Sequence, residues 1–249
     1  MDKQAVIFSI KQKKELAGVA DSYVREALDF YLAQHPVAFP LEPKDAKLII
    51  KAVRAQLRRA TGMFKRGHSK STGIAAHQSS RERAASYILL KNIITRLKPA
   101  SILDLGCGLN PLAVASPSVP YYAYDVNESD IAQVRTYLSN IRNPGFARVA
   151  DVQKEINFPH ADLCLMLKLV DLLDTRGHKN AERLMDKVSC NHLIVSFSTK
   201  TLSGKPMRHP QRGWIERLAK RKGYTFSKYA AENELFYVIE KFETVSKMY

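Results

Sequence analysis

The sequence predicts an α/β protein, in which a mainly parallel β-sheet ends in an antiparallel pair and is preceded by a basic helical region. Three observations carry this expectation. From Ser101 onward short apolar runs alternate with helical segments, the pattern of a parallel sheet covered on both faces. Residues 224–227 and 235–241 are strand-like with only a short Glu-Asn link between them, which suits a terminal antiparallel pair rather than a crossover. Charge is also uneven: residues 1–96 hold 18 basic and 8 acidic side chains, whereas residues 97–249 hold 21 and 16.

In chain order, the first expected element is an amphipathic helix over about residues 16–34, ending before Pro36. Pro36, Pro40 and Pro43 then form a stiff connection. A second helix is expected from about Pro43 to Thr61. At about 100° per residue, Lys44, Lys47, Lys51, Arg54 and Arg58 share one arc, and Ala46, Ile50, Val53, Leu57 and Phe64 lie opposite. One face packs and the other is a cationic ridge. Asp45 is the only acid between Lys44 and Lys70, so the usual pairing of opposite charges along a helix is missing and phosphate contacts are the favoured use. A basic Gly/Ser-rich loop over residues 65–73, including Lys65 and Arg66, marks the boundary between a docking domain, residues 1–75, and a second domain, residues 76–249. A third helix starts at Ser79, where Ser79 and Glu82 have capping-box spacing, and ends before Pro99, with Tyr87, Ile88, Leu90 and Ile94 as apolar residues.

The strands are expected at residues 102–105, 121–125, 147–151, 163–167 and 193–197, before the terminal pair. With 249 residues, 45% of them hydrophobic, the chain can bury a sizeable core. No stretch approaches the roughly 18 apolar residues of a membrane span, and the start reads as no signal peptide, so the expected location is the cytoplasm. Cys107, Cys164 and Cys190 are odd in number and far apart, which fits neither a disulfide framework nor a zinc cluster; no metal is expected. The formal charge of +15 favours a polyanionic partner, nucleic acid first.

The strongest local signal is residues 102–111, where an apolar strand breaks into Gly106 and Gly108. At the carboxyl end of a strand in an open α/β sheet, that crevice takes a nucleotide-like ligand. Glycines there let the backbone approach the ligand. A dinucleotide fingerprint needs a third glycine, and Pro111 stands in its place. Asp104 suits a ligand with an ammonium group, Asp125 ends the next strand where ribose hydroxyls would be bound, and Asp151 ends the third, within reach of an adenine amine.

Acid, paired glycines, acid and acid at successive strand ends resemble the S-adenosylmethionine-dependent methyltransferases of the seven-stranded, Rossmann-like class I. More closely, the chain resembles the aminoglycoside-resistance 16S rRNA (guanine N7) methyltransferases. The resemblance rests on residues 77–83 (His-Gln-Ser-Ser-Arg-Glu-Arg), residues 104–113 around the glycines, residues 167–173 and residues 195–204. It runs from about residue 75 to the end, and the basic front matches in type more than in letters. It implies that Arg83 binds the methionine carboxylate beside His77, and that Gly106, Cys107, Gly108, Val126, Val152 and Leu167 line the cofactor pocket with the three acids. It further implies that Asn110, Lys168, Lys200 and Lys205 meet RNA, with Phe197 stacking on the target base or serving as core. The implied partner is 16S rRNA within the 30S subunit, met by a monomer. No catalytic base is needed, because guanine N7 carries a free lone pair and no proton.

The chain departs from the family after Gly204, where residues 205–212 carry Pro206 and Pro210 in what is elsewhere a glycine-rich loop. That departure keeps another structured rRNA or tRNA site as the alternative target. A non-catalytic RNA-binding assembly factor is the rival from a different class.

Overall fold

The computed structural model describes residues 1–60, 84–155, 157–174, 177–200, 205–208 and 210–241. The amino-terminal region is three helices, α1 (Lys3–Lys11), α2 (Asp21–Gln34) and α3 (Pro43–Ala60). Asp2 caps α1 by accepting the Ala5 amide at 2.7 Å. Val6, Ile7 and Ile10 of α1, Val24 and Leu28 of α2, and Ala46, Ile49, Val53 and Leu57 of α3 close a core of their own. Sequence reading missed α1 and began the next helix too early. Leu16 and Val19 are buried in the connection, and a Cβ on Gly18 would lie 2.3 Å from Ser129 Oγ. That tight crossing, not a helix, occupies the segment before Asp21. On α3 the buried side runs through Ile49; Ile50, expected there, is only half-buried.

After α4 (Ala84–Leu97) comes a seven-stranded sheet: β1 (Ile102–Leu105), β2 (Tyr121–Asp125), β3 (Phe146–Val149), β4 (Ala161–Leu167), β5 (Cys190–Ser198), β6 (Thr225–Ala230) and β7 (Glu234–Glu240). Their spatial order is β3-β2-β1-β4-β5-β7-β6. The first five strands pair in parallel, and β7 runs antiparallel to both β5 and β6. Between the strands lie α5 (Pro111–Val114), α6 (Glu128–Asn140), α7 (Val170–Leu173), α8 (Lys179–Lys187) and α9 (Gly213–Arg221).

Side chains alternate across the sheet and fill two cores. Leu103, Leu105, Met166, Val195 and Tyr237 pack on one face, while Ile102, Tyr121, Leu165, Ile194 and Phe236 pack on the other with Tyr87, Leu90 and Ile93 of α4. Of the apolar residues named on this helix, Ile88 is 71% exposed. The edge strands β3 and β6 are largely open to solvent. Because the chain turns to one side after β1 and to the other at β4, the crevice between their carboxyl ends is the topological switch point, where such sheets bind ligands.

The helical region meets this edge of the sheet directly. Val19 bridges Asn127 in antiparallel fashion, and the Ala20 amide donates to the Val126 carbonyl at 3.1 Å. Lys154 pairs with Glu26, and α3 lies against α7.

Candidate active site

Beyond β1 the chain enters the left-handed region at Gly106 (φ 66°) and Gly108 (φ 48°), where only glycine is unstrained. A Cβ at Gly106 would also lie 2.9 Å from Leu169 Cδ1, so the backbone shape favours the glycine and any side chain there would displace the Leu169 methyl. Asp125 holds the loop in place. Its carboxylate accepts the Gly108 amide at 2.9 Å and the Asn127 amide at 2.8 Å. Asn127 in turn caps α6 by accepting the Asp130 amide at 3.2 Å. Strand end, glycine loop and helix start are thereby tied to one carboxylate.

Beneath the loop, Tyr121 donates to Asp104 Oδ2 at 2.7 Å, Asn110 Nδ2 donates to the same oxygen at 3.4 Å, and Tyr87 donates to Asn110 Oδ1 at 3.0 Å. Asp104 and Asn110 are both buried. Asn110, expected on the RNA side, faces the interior because its amide links Tyr87 to Asp104. Burial and the Asp104 charge push the Tyr121 hydroxyl well up, which keeps it a donor. Burial, reinforced by Asp125, likewise pushes the Cys107 thiol well up, so it is no nucleophile at neutral pH.

Asp151 follows β3 in a turn, with its side chain accepting the Gln153 amide at 3.0 Å. It lines a cavity of about 490 Å³ with Val126, Val149 and Lys154 from the sheet side and Ala20, Ser22 and Tyr23 from the helical region. Val152 and Leu167 are core side chains, buried with opposite faces of the sheet. Sequence reading missed Tyr23; no local pattern announces a contact made across the fold.

The cations divide into two kinds. Lys44, Lys47 and Lys51 are exposed. Arg54 turns inward to donate to the carbonyls of Ile10 (3.2 Å) and Ser9, and Arg58 donates to Glu15 at 2.7 Å. Instead of a plain ridge, α3 borders a groove of about 690 Å³ in which Lys13, Lys47, Lys51, Arg54 and Arg58 rim an apolar lining that includes Leu41 and Ile50.

Near the carboxyl ends of β4 and β5, Lys168 is buried with its ammonium 3.7 Å from Glu234, which also accepts the Ser196 hydroxyl at 2.5 Å. Its expected exposure to RNA gives way to an internal ion pair. Phe197 is wholly buried against Trp214 and Tyr237, with the Arg212 guanidinium 5.1 Å above its ring; of its two expected uses it takes the core one. Lys200 pairs with Glu232 at 3.4 Å, and Lys205 is exposed. Arg212, which sequence reading did not single out, donates to Asp171 at 3.0 Å and so ties the segment after β5 to α7. His77, Arg83, Lys65 and Arg66 lie outside the described residues, as does the expected capping box at Ser79.

Comparison with known proteins fits this arrangement. The ribosomal RNA methyltransferase (FmrO) family matches residues 52–238. The chain belongs to that family. Among relatives of this methyltransferase, the 16S rRNA (guanine(1405)-N(7))-methyltransferase of Serratia marcescens is 26% identical over 266 residues, covering 97% of this chain and 99% of that one. The protein of the same name from Micromonospora echinospora is 29% identical over 77% of this chain and 68% of its own length. That of Frankia casuarinae is 31% identical, but the match spans only 57% of this chain and about half, 53%, of the relative. The methyltransferase shares its fold with the 16S rRNA methyltransferase RmtF, solved with S-adenosyl-L-homocysteine, at a TM-score of 0.71, 23% identity and coverage of 97% and 100%. RmtB gives the same TM-score at 21% identity, with coverage of 97% and 99%.

Proposed function

We propose that the protein transfers a methyl group from S-adenosylmethionine to the N7 nitrogen of a guanine in the decoding-site helix of 16S rRNA within the 30S subunit, conferring aminoglycoside resistance. The observation that carries this reading is the assembly at the switch point, where Asp125 fixes the Gly106–Gly108 loop beside the cavity that Asp151 lines, in a chain of the rRNA methyltransferase family.

The residues present fit the cofactor by their chemistry. Two left-handed glycines leave space for close approach. Asp125 retains acceptor capacity for ribose hydroxyls, since each carboxylate oxygen accepts more than one hydrogen bond. Asp151 would accept from the adenine amine, and Arg83 with His77 would hold the methionine carboxylate. When bound, S-adenosylmethionine supplies an electrophilic sulfonium methyl. The protein's own work is orientation: guanine N7 offers a lone pair and no proton, so no residue is needed as a general base. The buried thiols suit this scheme, because none is poised as a nucleophile.

Docking falls to the helical front, residues 1–75. The exposed lysines of α3 and the groove behind them suit phosphates held at the spacing of a folded RNA, and shape recognition of this kind suits an assembled subunit better than a single strand. Lys200, paired with Glu232, and exposed Lys205 stand on the sheet side as the further candidates for RNA contact. The protein acts as a monomer on 30S subunits in the cytoplasm. The Pro206 and Pro210 segment favours a second reading, in which another structured rRNA or tRNA site is methylated.

The test is transfer of a tritiated methyl group from S-adenosylmethionine to 30S subunits, naked 16S rRNA and bulk tRNA in parallel. Label on assembled subunits is expected. Label confined to tRNA would support the second reading, and binding of RNA without any transfer would support a non-catalytic assembly factor.

A further inference from the structure

We propose that the amino-terminal region supplies one wall of the cofactor pocket, with Tyr23 of α2 positioning the nucleoside end against Asp151. This rests on the reading of the switch point as an S-adenosylmethionine site, and it gives the docking region a second use that its charge does not announce.

The cavity beside Asp151 has two sides. Val126 and Asp151 belong to the sheet, while Ala20, Ser22 and Tyr23 come from the start of α2. Tyr23 packs its ring partly against the helical core. Its hydroxyl is pushed up to about 12 by burial and by the charges of Asp151, Asp125 and Glu26, so it stays a protonated donor beside the two carboxylates assigned to adenine and ribose.

The wall is held firmly. Val19 bridges Asn127, the Ala20 amide donates to the Val126 carbonyl at 3.1 Å, and the Ser129 amide donates to the Gly18 carbonyl at 3.4 Å. No side chain fits at Gly18, where a Cβ would meet Ser129 Oγ at 2.3 Å and Asn127 Oδ1 at 2.8 Å. Asn127 also donates its amide to Asp125. The start of α2 is therefore registered, through one residue, to the carboxylate that orders the glycine loop. The Lys154–Glu26 pair fastens the far side. An aromatic ring on a fixed backbone, lining the same cavity as Asp151, is suited to cover a nucleobase presented to that acid.

The experiment uses the full chain. Binding of S-adenosylhomocysteine by calorimetry, thermal unfolding, and KM and kcat for S-adenosylmethionine on 30S subunits are measured for the unaltered protein, Tyr23→Ala, Tyr23→Phe and Tyr31→Ala. Tyr31 is a control on the same helix, partly buried against the same core, outside the cavity lining. Tyr23→Ala is expected to weaken S-adenosylhomocysteine roughly tenfold, the scale of one lost aromatic–base contact, and to raise KM with kcat kept at saturation. Tyr23→Phe recovers most of the affinity, and Tyr31→Ala lowers the unfolding temperature while leaving affinity unchanged. Affinity of Tyr23→Ala within twofold of the unaltered protein overturns the proposal, as does an equal loss in Tyr31→Ala. If the unaltered protein itself binds no S-adenosylhomocysteine, the cofactor reading falls and this inference falls with it.

Discussion

The helical front and the carboxyl edge of the sheet handle charge in opposite ways. On the sheet edge the acids are short and fixed: Asp125 is held by two backbone amides, and Asp151 by the Gln153 amide in its own turn. On α3 the exposed cations are Lys44, Lys47, Lys51 and Arg59, while Arg54 and Arg58 are tethered to partners among the described residues. A small cofactor needs donors and acceptors at set positions, which strand ends and backbone groups would supply in the proposed site. A polyphosphate chain needs charge over an area, which the exposed lysines on one helix would provide under the proposed reading. Salt is therefore expected to weaken subunit docking much more than cofactor binding.

The sharpest challenges to this division begin with stability. Phe197→Ala removes a wholly buried ring between Trp214 and Tyr237 and is expected to cost about 3–5 kcal/mol in denaturant unfolding. Loss of methylation with unchanged stability would instead put this ring on the RNA side. Next, Asp125→Ala frees the amides of Gly108 and Asn127 that order the loop and removes the acceptor proposed for the ribose hydroxyls; with about 1.5–3 kcal/mol for each hydrogen bond lost between the carboxylate and the ribose, S-adenosylhomocysteine affinity should fall a hundredfold or more while subunit affinity stays. The converse variant, Lys47→Glu with Lys51→Glu, is expected to weaken 30S binding by at least roughly tenfold, lower the salt slope by about two and leave cofactor affinity intact. Subunit affinity unchanged across salt concentrations would remove α3 from the docking surface.

The smallest effect concerns pH. Burial raises the Cys107 and Cys164 thiols well above their ordinary value of 9.0, and takes Cys190 to about 11. Folded thiols thus keep protons that unfolded ones release, so their contribution to stability is full below about pH 9 and declines as pH rises beyond it. Unfolding temperatures measured from pH 7 to 10 should drop only at the alkaline end. Alkylation of the folded protein at neutral pH should leave activity in place.

Much of the sheet was legible because strand ends, glycines and acids are local signals. β1 and β2 were read to the residue, and the antiparallel close of the sheet followed from its short link. The paired glycines and Asp125 stand together in space as their spacing suggested. Long-range partners were not legible. Lys168 is buried because Glu234 of β7 lies opposite, and nothing near Lys168 in sequence says so. Phe197 sits on a strand buried on both faces, where alternation gives no clue to side. Tyr23 reaches the cavity beside Asp151 where Gly18 lets the chain cross Asn127. Helix α1 has only nine residues, and what marks it is the core that Val6, Ile7 and Ile10 share with α2 and α3, contacts made far along the chain.

The most direct measurement is nucleotide-level mapping of the modification on 30S subunits after incubation with the protein and S-adenosylmethionine. N7-methylguanine at a single decoding-helix guanine, absent with Asp125→Ala, is the predicted result. A methyl group on any other atom or outside that helix would contradict the assignment.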